Sequence, residues 1–310
     1  MKKTILKSTL LVLTMAFMTG CSSDDSSIGG NPGGPEGPEG PEETETVYYA
    51  HKSILEDFTS IGCPACPIGS FMIEEIEKSD YKDQIIPIAL HDDYNYSDPY
   101  RLPFAETYAR HMELAFYPSL FWNRNKPAWD QPNQFIDGEL DANKNPVYFL
   151  AKEEFAEYIK GTGYLKEKSN IGIKINSELQ ATNGTVTVNL KFSEDLNANL
   201  KLVVYVLEDG LVSRQANSTP LYGNTSGRGR WESNFVHNHV VRASNNVLGD
   251  AIAASATVKD TEFTTSVELT YDTIDLSKSE VVVVILDEKG LALNAQKAKA
   301  NTTQDYQVVK

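Results

Sequence analysis

Two cysteines separated by two residues carry the clearest chemistry in this sequence. Cys63 and Cys66 flank Pro64 and Ala65. Thiol–disulfide exchange needs this spacing, because one thiolate attacks a partner's disulfide and a second thiol within reach resolves the mixed disulfide. The attacking sulfur must be a thiolate, which a helix N-terminus favours through its unpaired N–H groups and the positive end of its dipole.

The neighbouring residues predict the strand, turn and helix that would position this pair. An apolar run over 54–58 stops at Gly62, and a helical pattern follows over Pro64–Ser79. We therefore expect Cys63 at the helix start, with its sulfur open to solvent, and Cys66 one turn along. A structural disulfide is the alternative, whereas a zinc site would need four ligands and the chain has no second such pair.

Other residues with metal-binding chemistry have a simpler interpretation. His91, Asp92 and Asp93 could chelate a metal together with His111. We favour a solvated loop after a strand as their explanation, and we predict no metal and no cofactor. The net charge of −15 argues against nucleic acid as a partner, because binding to phosphates needs clustered Lys and Arg.

The N-terminal 46 residues predict a lipoprotein signal and a tether. A basic start and a short apolar stretch lead to Met-Thr-Gly-Cys, which resembles a bacterial lipoprotein signal over 1–20 with lipid (palmitate) on Cys21. An ordinary secretory signal is the alternative. The Ser-, Gly-, Pro- and Glu-rich stretch over 21–46 predicts a disordered tether. If Cys21 carries lipid, Cys63 and Cys66 are the only cysteines left.

The remaining chain divides into two parts of different character. Over 47–165 we expect an α/β domain with strands at Gln84–His91 and Phe116–Asn123. A helix is predicted to start at Asn145-Pro146, to carry Phe149, Phe155 and Ile159 on one face, and to end at Gly161. Over 166–310, alternating apolar residues and Asn-Gly and Asp-Gly turns predict an all-β antiparallel sandwich of immunoglobulin or fibronectin type, with about seven strands.

The strand, Cys-x-x-Cys, helix and later strand of the first part together resemble the thioredoxin fold. Asp57 lies six residues before Cys63, where this family keeps a buried acid, and Pro118 lies where it has a cis-proline. The resemblance implies that Cys63 attacks, Cys66 resolves and Asp57 manages the proton. It also implies that the partner chain is bound by Pro118, by its neighbours Tyr117 and Ser119, and by Pro64.

Three positions depart from that family. Gly62 stands where thioredoxins often have Trp, Pro67 where a basic residue is common, and the strand over Gln84–His91 has no lysine to couple with Asp57. These departures leave the reduction potential open.

A finer resemblance is to the lipoproteins related to outer-membrane protein 28. It is carried by Leu55-Glu-Asp-Phe-Thr, Gly62-Cys-Pro-Ala-Cys-Pro, Leu207-Glu-Asp-Gly-Leu-Val and His237-Asn-His-Val-Val-Arg. It covers about Val47 to the C-terminus and implies a thioredoxin-like domain joined to a β-sandwich. It also implies a lipid anchor in the outer membrane, on the periplasmic face or the cell surface.

Two functions from different classes follow. The first is an envelope lipoprotein that exchanges thiols and disulfides with protein partners through Cys63 and Cys66. The second is a non-catalytic surface binding or adhesion lipoprotein in which the pair is a structural disulfide, so whether the chain is an enzyme stays open. A glycan or protein ligand could dock on a basic-aromatic cluster in the second part, although a long insertion with locally satisfied residues explains it as well. That cluster consists of Arg228, Arg230, Trp231, His237 and His239.

Overall fold

The computed structural model describes residues 46–125 and 132–309. The predicted signal, Cys21 and most of the tether lie outside the described residues. The helices are α1 (Pro67–Glu77), α2 (Ala105–His111) and α3 (Lys152–Thr162), with 3-10 turns at Pro132–Phe135, Ala254–Ala256 and Leu276–Lys278. No helix in the described ranges is long and apolar enough to cross a membrane.

Strands make up most of the regular structure, as expected from the alternating apolar pattern. In chain order they are β1 (Tyr48–Tyr49), β2 (Ser53–Thr59), β3 (Ile85–His91), β4 (Ser119–Trp122), β5 (Ile136–Leu140), β6 (Pro146–Leu150), β7 (Ile171–Leu179), β8 (Asn183–Phe192), β9 (Leu200–Glu208), β10 (Leu211–Asn217), β11 (Arg230–His237), β12 (Val240–Ser244), β13 (Asp250–Ile252), β14 (Glu262–Thr270), β15 (Ser279–Leu286), β16 (Ala292–Lys299), β17 (Thr303–Gln304) and β18 (Val308–Val309).

One eight-stranded sheet contains strands from both sides of the boundary predicted near residue 165. Its order is β16-β15-β9-β12-β3-β2-β4, with β13 also paired to β9. The junction is the parallel contact between β12 and β3, where Val240 is opposite Ala89. A four-stranded antiparallel sheet, β14-β8-β7-β17, lies apart from it, and β10 and β11 form a two-stranded hairpin of their own. The two parts of the chain are therefore joined by backbone pairing.

Three apolar cores follow from the alternation of side chains along these strands. Alternate residues of β9 face opposite ways, so Val204 joins the core with the four-stranded sheet and Tyr205 joins the core with α2. The third core lies on the other face of β2–β4, under α1 and α3, around Trp122 and Phe155. The eight-stranded sheet is thus covered on both faces, which explains the continuous apolar runs in β9 and β15.

A buried ion pair of the first part is joined to the second part by Tyr205. The guanidinium of Arg124 donates to Glu56 Oε1 at 3.0 Å, and both groups are almost completely buried. The hydroxyl of Tyr205 donates to the same oxygen at 3.0 Å, and that of Tyr108 donates to Glu56 Oε2 at 2.6 Å. The network links β2, α2 and β9.

The prediction that a helix starts at Asn145-Pro146 is wrong for the first turn. Pro146–Leu150 forms β6, which pairs antiparallel with β5, and α3 begins only at Lys152. Val147, Tyr148 and Phe149 favour a strand because branched and aromatic side chains fit a pleated surface, so Phe149 is not on the helix. Phe155 and Ile159 are buried on α3 as expected. The glycine that ends the helix is Gly163, in the left-handed region at φ 66°, rather than Gly161.

Candidate functional site

The two cysteines form a disulfide in a turn that precedes α1. Their Cα atoms lie 5.4 Å apart. The helix begins at Pro67, with Cys66 at its N-cap, so the expectation that Cys63 begins the helix is wrong. The reason is local, because Pro67 has no N–H and suits the first helical position, while Cys66 closes a separate turn by donating to the Cys63 carbonyl at 3.3 Å. Cys66, and not Cys63, is therefore nearer the positive end of the dipole.

Both cysteines are buried, with 1% of each residue exposed. The expected open sulfur on Cys63 is absent from this conformation. Within the loop between them, Pro64 and Ala65 reach partial exposure. The disulfide is thus closed to an approaching protein chain unless the surrounding structure moves.

Residues 60–66, between β2 and α1, form the cysteine loop. The segment that covers this loop comes from far along the chain. We call β10, β11 and their connection over 218–229 the cover hairpin. Its backbone N–H groups at Ala216 and Ser218 donate to the carbonyls of Ile61 and Pro64, each at 2.8 Å. The side-chain amide of Gln215 donates to the carbonyls of Cys63 at 2.9 Å and Ser60 at 3.1 Å. The hairpin therefore pairs with the cysteine loop as an added extended segment would.

Gly62 is required by a second close contact. A Cβ at this position would lie 2.0 Å from the carbonyl oxygen of Tyr94 and 3.0 Å from the ring of Tyr96. The loop that carries these tyrosines packs directly on the backbone before Cys63. This approach gives a steric reason why no large side chain stands at Gly62.

Asp57 is buried beneath the first turn of α1, with 2% exposure. A Cβ on Gly69 would lie 3.1 Å from both of its carboxyl oxygens, so the helix approaches Asp57 at a glycine. Its Oδ1 has no hydrogen-bond partner among the described residues. Burial raises the pKa of Asp57 to about 7. A buried carboxyl in this state can take up or release a proton near neutral pH.

Pro118 lies at the end of the sheet where the cysteine loop begins. The Tyr117–Pro118 peptide bond is cis. Ser119 is opposite Phe58 in the pairing of β4 with β2, so Pro118 comes level with Thr59, the last residue of β2. Pro118 is buried, and the Tyr117 hydroxyl donates to Asp92 at 3.0 Å. The hydroxyl of Ser119 donates to the carbonyl of Phe116 at 2.7 Å.

The family model described as "Outer membrane protein Omp28" matches residues 105–304. The chain belongs to the Omp28 family of outer membrane proteins. It is therefore an outer membrane protein. Among solved structures it is similar to HBP35 of Porphyromonas gingivalis, with a TM-score of 0.56, 19% identity, and coverage of 82% of this chain and 76% of that chain. At this identity the likeness concerns the fold alone. A search of curated protein sequences found no match.

The Omp28 match begins after the cysteines. It includes Pro118 and the whole cover hairpin, but not Asp57, Cys63 or Cys66. Membership in the family therefore supports the location of the protein and carries no information about chemistry at the cysteine pair.

The structure uses His91 and Asp92 in contacts that the sequence did not reveal. Both are buried, and His91 Nδ1 lies 2.9 Å from Asp98 Oδ2, which also accepts the backbone N–H of Ile61 at 2.9 Å. Burial raises the pKa of Asp98, but its hydrogen bonds with His91 and the backbone outweigh burial and leave it lowered. Asp92 accepts from Arg101 at 2.9 Å. Hence His91 and Asp92 are not solvated, whereas Asp93 and His111 are exposed. The described ranges contain no cluster of His, Cys, Asp and Glu suited to a metal ion.

The basic-aromatic cluster does not form one surface. His237 and His239 are buried, whereas Trp231 is 37% exposed and contacts the ring of Tyr96 at 5.0 Å between centroids. The guanidinium over Trp231, at 4.3 Å, belongs to Arg214. Arg230 pairs with Glu232 of its own strand. Sequence reasoning thus missed Arg214, Gln215 and Asp98, because nothing in their local sequence indicates what they contact.

Proposed function

We propose that this outer membrane protein is an envelope lipoprotein that carries out thiol–disulfide exchange through Cys63 and Cys66. In this proposal segment 47–165 is a thioredoxin-like domain and segment 166–310 an immunoglobulin-like sandwich. The order of β2, the cysteine loop, α1, β3 and β4 supports it, with β2 parallel to β3 and antiparallel to β4. The position of Pro118, level with the end of β2, supports it as well.

The observation that carries the proposal is the state of Asp57. A carboxyl buried without a partner for one oxygen destabilises a fold, and a purely structural disulfide has no use for it. A buried acid with a pKa of about 7, beneath the helix that begins after Cys66, suits a group that takes the proton from a thiol.

The exchange is a sequence of two displacements that balances without a cofactor. In the reductive direction, the thiolate of reduced Cys63 attacks one sulfur of a partner's disulfide, forms a mixed disulfide and releases the other partner sulfur as a thiolate. The thiolate of Cys66 then attacks the sulfur of Cys63, which re-forms the Cys63–Cys66 disulfide and releases the second partner thiolate. The opposite order oxidises a partner dithiol.

The cover hairpin must leave the cysteine loop before a partner can react. In the described conformation it fills the position over Ile61, Cys63 and Pro64 that an extended partner segment would take. The exchange-competent form is therefore one in which these hydrogen bonds are broken. Tyr117, Ser119 and Pro64 would then flank the partner chain.

Trapping tests the proposal. A Cys66→Ser protein cannot resolve its mixed disulfide, so Cys63 should retain partner proteins that a reductant releases, while the Cys63→Ser/Cys66→Ser protein retains none. A redox titration then gives the direction, with a potential near about −270 mV indicating a reductant and one near about −120 mV an oxidant. If Cys66→Ser retains no more protein than the double variant, even with the cover weakened by Gln215→Ala, the proposal fails.

The burial of both sulfurs favours a second candidate, a non-catalytic binding lipoprotein with a structural disulfide. A glycan or protein ligand would then bind at the exposed part of the cover hairpin, near Arg228, Arg230 and Trp231. Thiol labelling after mild reductant separates the two candidates. A disulfide that resists reductant until the protein unfolds indicates the structural role. Unchanged binding after replacement of Arg228, Arg230 and Trp231 by alanine would exclude that surface.

The anchor is a separate part of the proposal. It rests on the Met-Thr-Gly-Cys sequence that ends at Cys21. Mass spectrometry of the N-terminal peptide should show acyl chains on Cys21, and Cys21→Ala should move the protein from the membrane fraction to the soluble fraction. An unmodified Cys21 in the membrane fraction would contradict the anchor and leave the cysteine-pair chemistry unaffected.

A further inference from the structure

A small cavity lies between Asp57, α1 and the base of the cover hairpin. Its volume is about 30 Å³, which exceeds the roughly 10–15 Å³ that a water molecule needs. Polar side chains line it. Its titratable lining residues are Asp57, Glu74, Glu77, His91, His237 and His239.

Two of these residues lead from the cavity to solvent. His239 Nε2 lies 3.0 Å from Glu77 Oε1; the His239 side chain is 8% exposed and that of Glu77 is 40% exposed. Burial lowers the pKa of His239, but its contacts with Glu77 and Asp209 outweigh burial and leave it raised. The contact with His239 lowers the pKa of Glu77 against the effect of burial. Both shifts favour the charged forms of the two groups, and the contact between them lies between the cavity and the surface.

The backbone explains how His239 comes close to Asp57. Asp57 is opposite Ala89 in the pairing of β2 with β3, and the N–H of Ala89 donates to the carbonyl of His239 at 2.8 Å. Ala89 also lines the cavity, and its short side chain leaves the space that a larger residue would fill. Asp57 and His239 therefore line the same cavity, with Ala89 between them.

We propose that His239 and Glu77 form the outlet through which Asp57 exchanges its proton with solvent. This inference rests on the proposed thiol–disulfide exchange. In the resolving step the carboxylate of Asp57 takes the proton of the Cys66 thiol, and the Cys66 thiolate attacks Cys63 and expels the partner thiolate. The Asp57 proton then passes by a water molecule to His239 and Glu77, one of which releases a proton to solvent. The reverse order supplies a proton to Asp57.

Other charged groups also surround the outlet, and Lys78 and Lys297 near Glu77 favour its charged form. His239 is faced by Glu77 of α1, by Asp209 of the turn before the cover hairpin at 3.5 Å, and by Glu280 of β15. On the Asp57 side, Tyr222 donates to Glu74 at 2.9 Å. Burial raises the pKa of Glu74. Burial lowers the pKa of His237 to about 3, so it is neutral at pH 7. His239 and Glu77 are accordingly the cavity residues whose pKa values shift in opposite directions, each toward its charged form.

A single-turnover reaction tests the outlet. The fully reduced protein reacts with 5,5′-dithiobis(2-nitrobenzoate), and the second released thionitrobenzoate reports attack of Cys66 on the mixed disulfide at Cys63. At pH 6–7 a protonated Asp57 must first lose its proton through the outlet before it can accept that of Cys66, so His239→Gln and Glu77→Gln should each slow that release about tenfold. The double variant should be no slower, because both residues serve one route. At pH 9 all should match the wild type, since Asp57 is then already ionised.

A matched control and two contrary outcomes keep the test decisive. Glu75→Gln removes a carboxylate from the same helix, outside the cavity, and should change nothing. If the variants slow the second release by the same factor at every pH, or match the wild type at every pH, the proposed outlet is wrong, while thiol–disulfide exchange itself is unaffected. Absence of the second release from the wild type itself would instead reject the proposed function. If His239→Gln does not fold, Glu77→Gln, at a partly exposed side chain, carries the test.

Discussion

The side-chain amide of Gln215 donates a hydrogen bond to the carbonyl of Cys63 at 2.9 Å, across 152 residues of sequence. The same amide also reaches the carbonyls of Ser60 and Ala216. This one side chain therefore connects the cover hairpin to the cysteine loop, and the reactivity of the disulfide should depend on it.

Gln215→Ala should make the disulfide easier to reduce. It removes hydrogen bonds whose net contribution is about 1 kcal/mol each, so the opened form should become roughly tenfold or more populated. The measurement is the rate of reduction by a phosphine under native conditions. Val212→Ala, at an exposed position of the same strand, should leave the rate unchanged. Equal rates for wild type and Gln215→Ala would show that this side chain does not hold the cover.

The burial of Asp57 should appear in the pH dependence of stability. Its pKa is about 7 in the folded protein against 3.8 ordinarily, so the folded state holds the proton more tightly than the unfolded chain. The free energy of unfolding therefore falls as pH rises from about 4 to 7, and levels off above 7. Asn cannot ionise, so the Asp57→Asn protein should not lose stability in this way. Its free energy of unfolding relative to wild type should therefore be higher at pH 8 than at pH 5, by on the order of 2 kcal/mol.

Urea unfolding at the two pH values measures that difference. Asp80→Asn, at an exposed acid just beyond α1, is the matched control and should show no pH-dependent advantage. An Asp57→Asn advantage of the same size at pH 5 and pH 8 would mean that Asp57 is ionised throughout this range.

Gly62→Ala should destabilise the protein by about 1–3 kcal/mol, because its Cβ would meet the backbone oxygen of Tyr94, which cannot rotate away. Gly161→Ala is the contrasting change within α3, where a Cβ meets nothing within 4 Å. It should stabilise by about 0.5–1 kcal/mol through the entropy of the unfolded chain. Chemical denaturation measures the free energy of unfolding of both variants. If Gly62→Ala leaves it unchanged, the loop that carries Tyr94 and Tyr96 does not pack on the cysteine loop.

Arg124→Met should cost about 3–5 kcal/mol, because it leaves the buried Glu56 carboxylate without its cation. Arg110→Met breaks an exposed pair with Glu106 and should cost at most about 1 kcal/mol. The comparison is made by urea unfolding at pH 7. Similar losses for the two variants would show that the Glu56 network contributes no more than a surface ion pair.

Local patterns in the sequence predicted much of the regular structure. The apolar runs of β2, β3, β9 and β15 appear as strands, and α1 follows the cysteines, because hydrophobic periodicity and turn residues act over a few positions. The start of α3 was misplaced because Asn145-Pro146 suits a helix start locally, while the pairing of β6 with β5 decides otherwise.

By itself, the sequence determined which functional groups are present: two thiols at the spacing that exchange needs, an acid six residues before the first of them, and Pro118. Only the tertiary structure decided whether that chemistry is accessible. The cover hairpin, the carbonyl of Tyr94 and the cavity between Asp57 and His239 arise from contacts across up to about 180 residues, and such contacts leave no local periodicity. Burial of the disulfide is therefore a property of the tertiary contacts that place the cover hairpin and the Tyr94 loop against the cysteine loop.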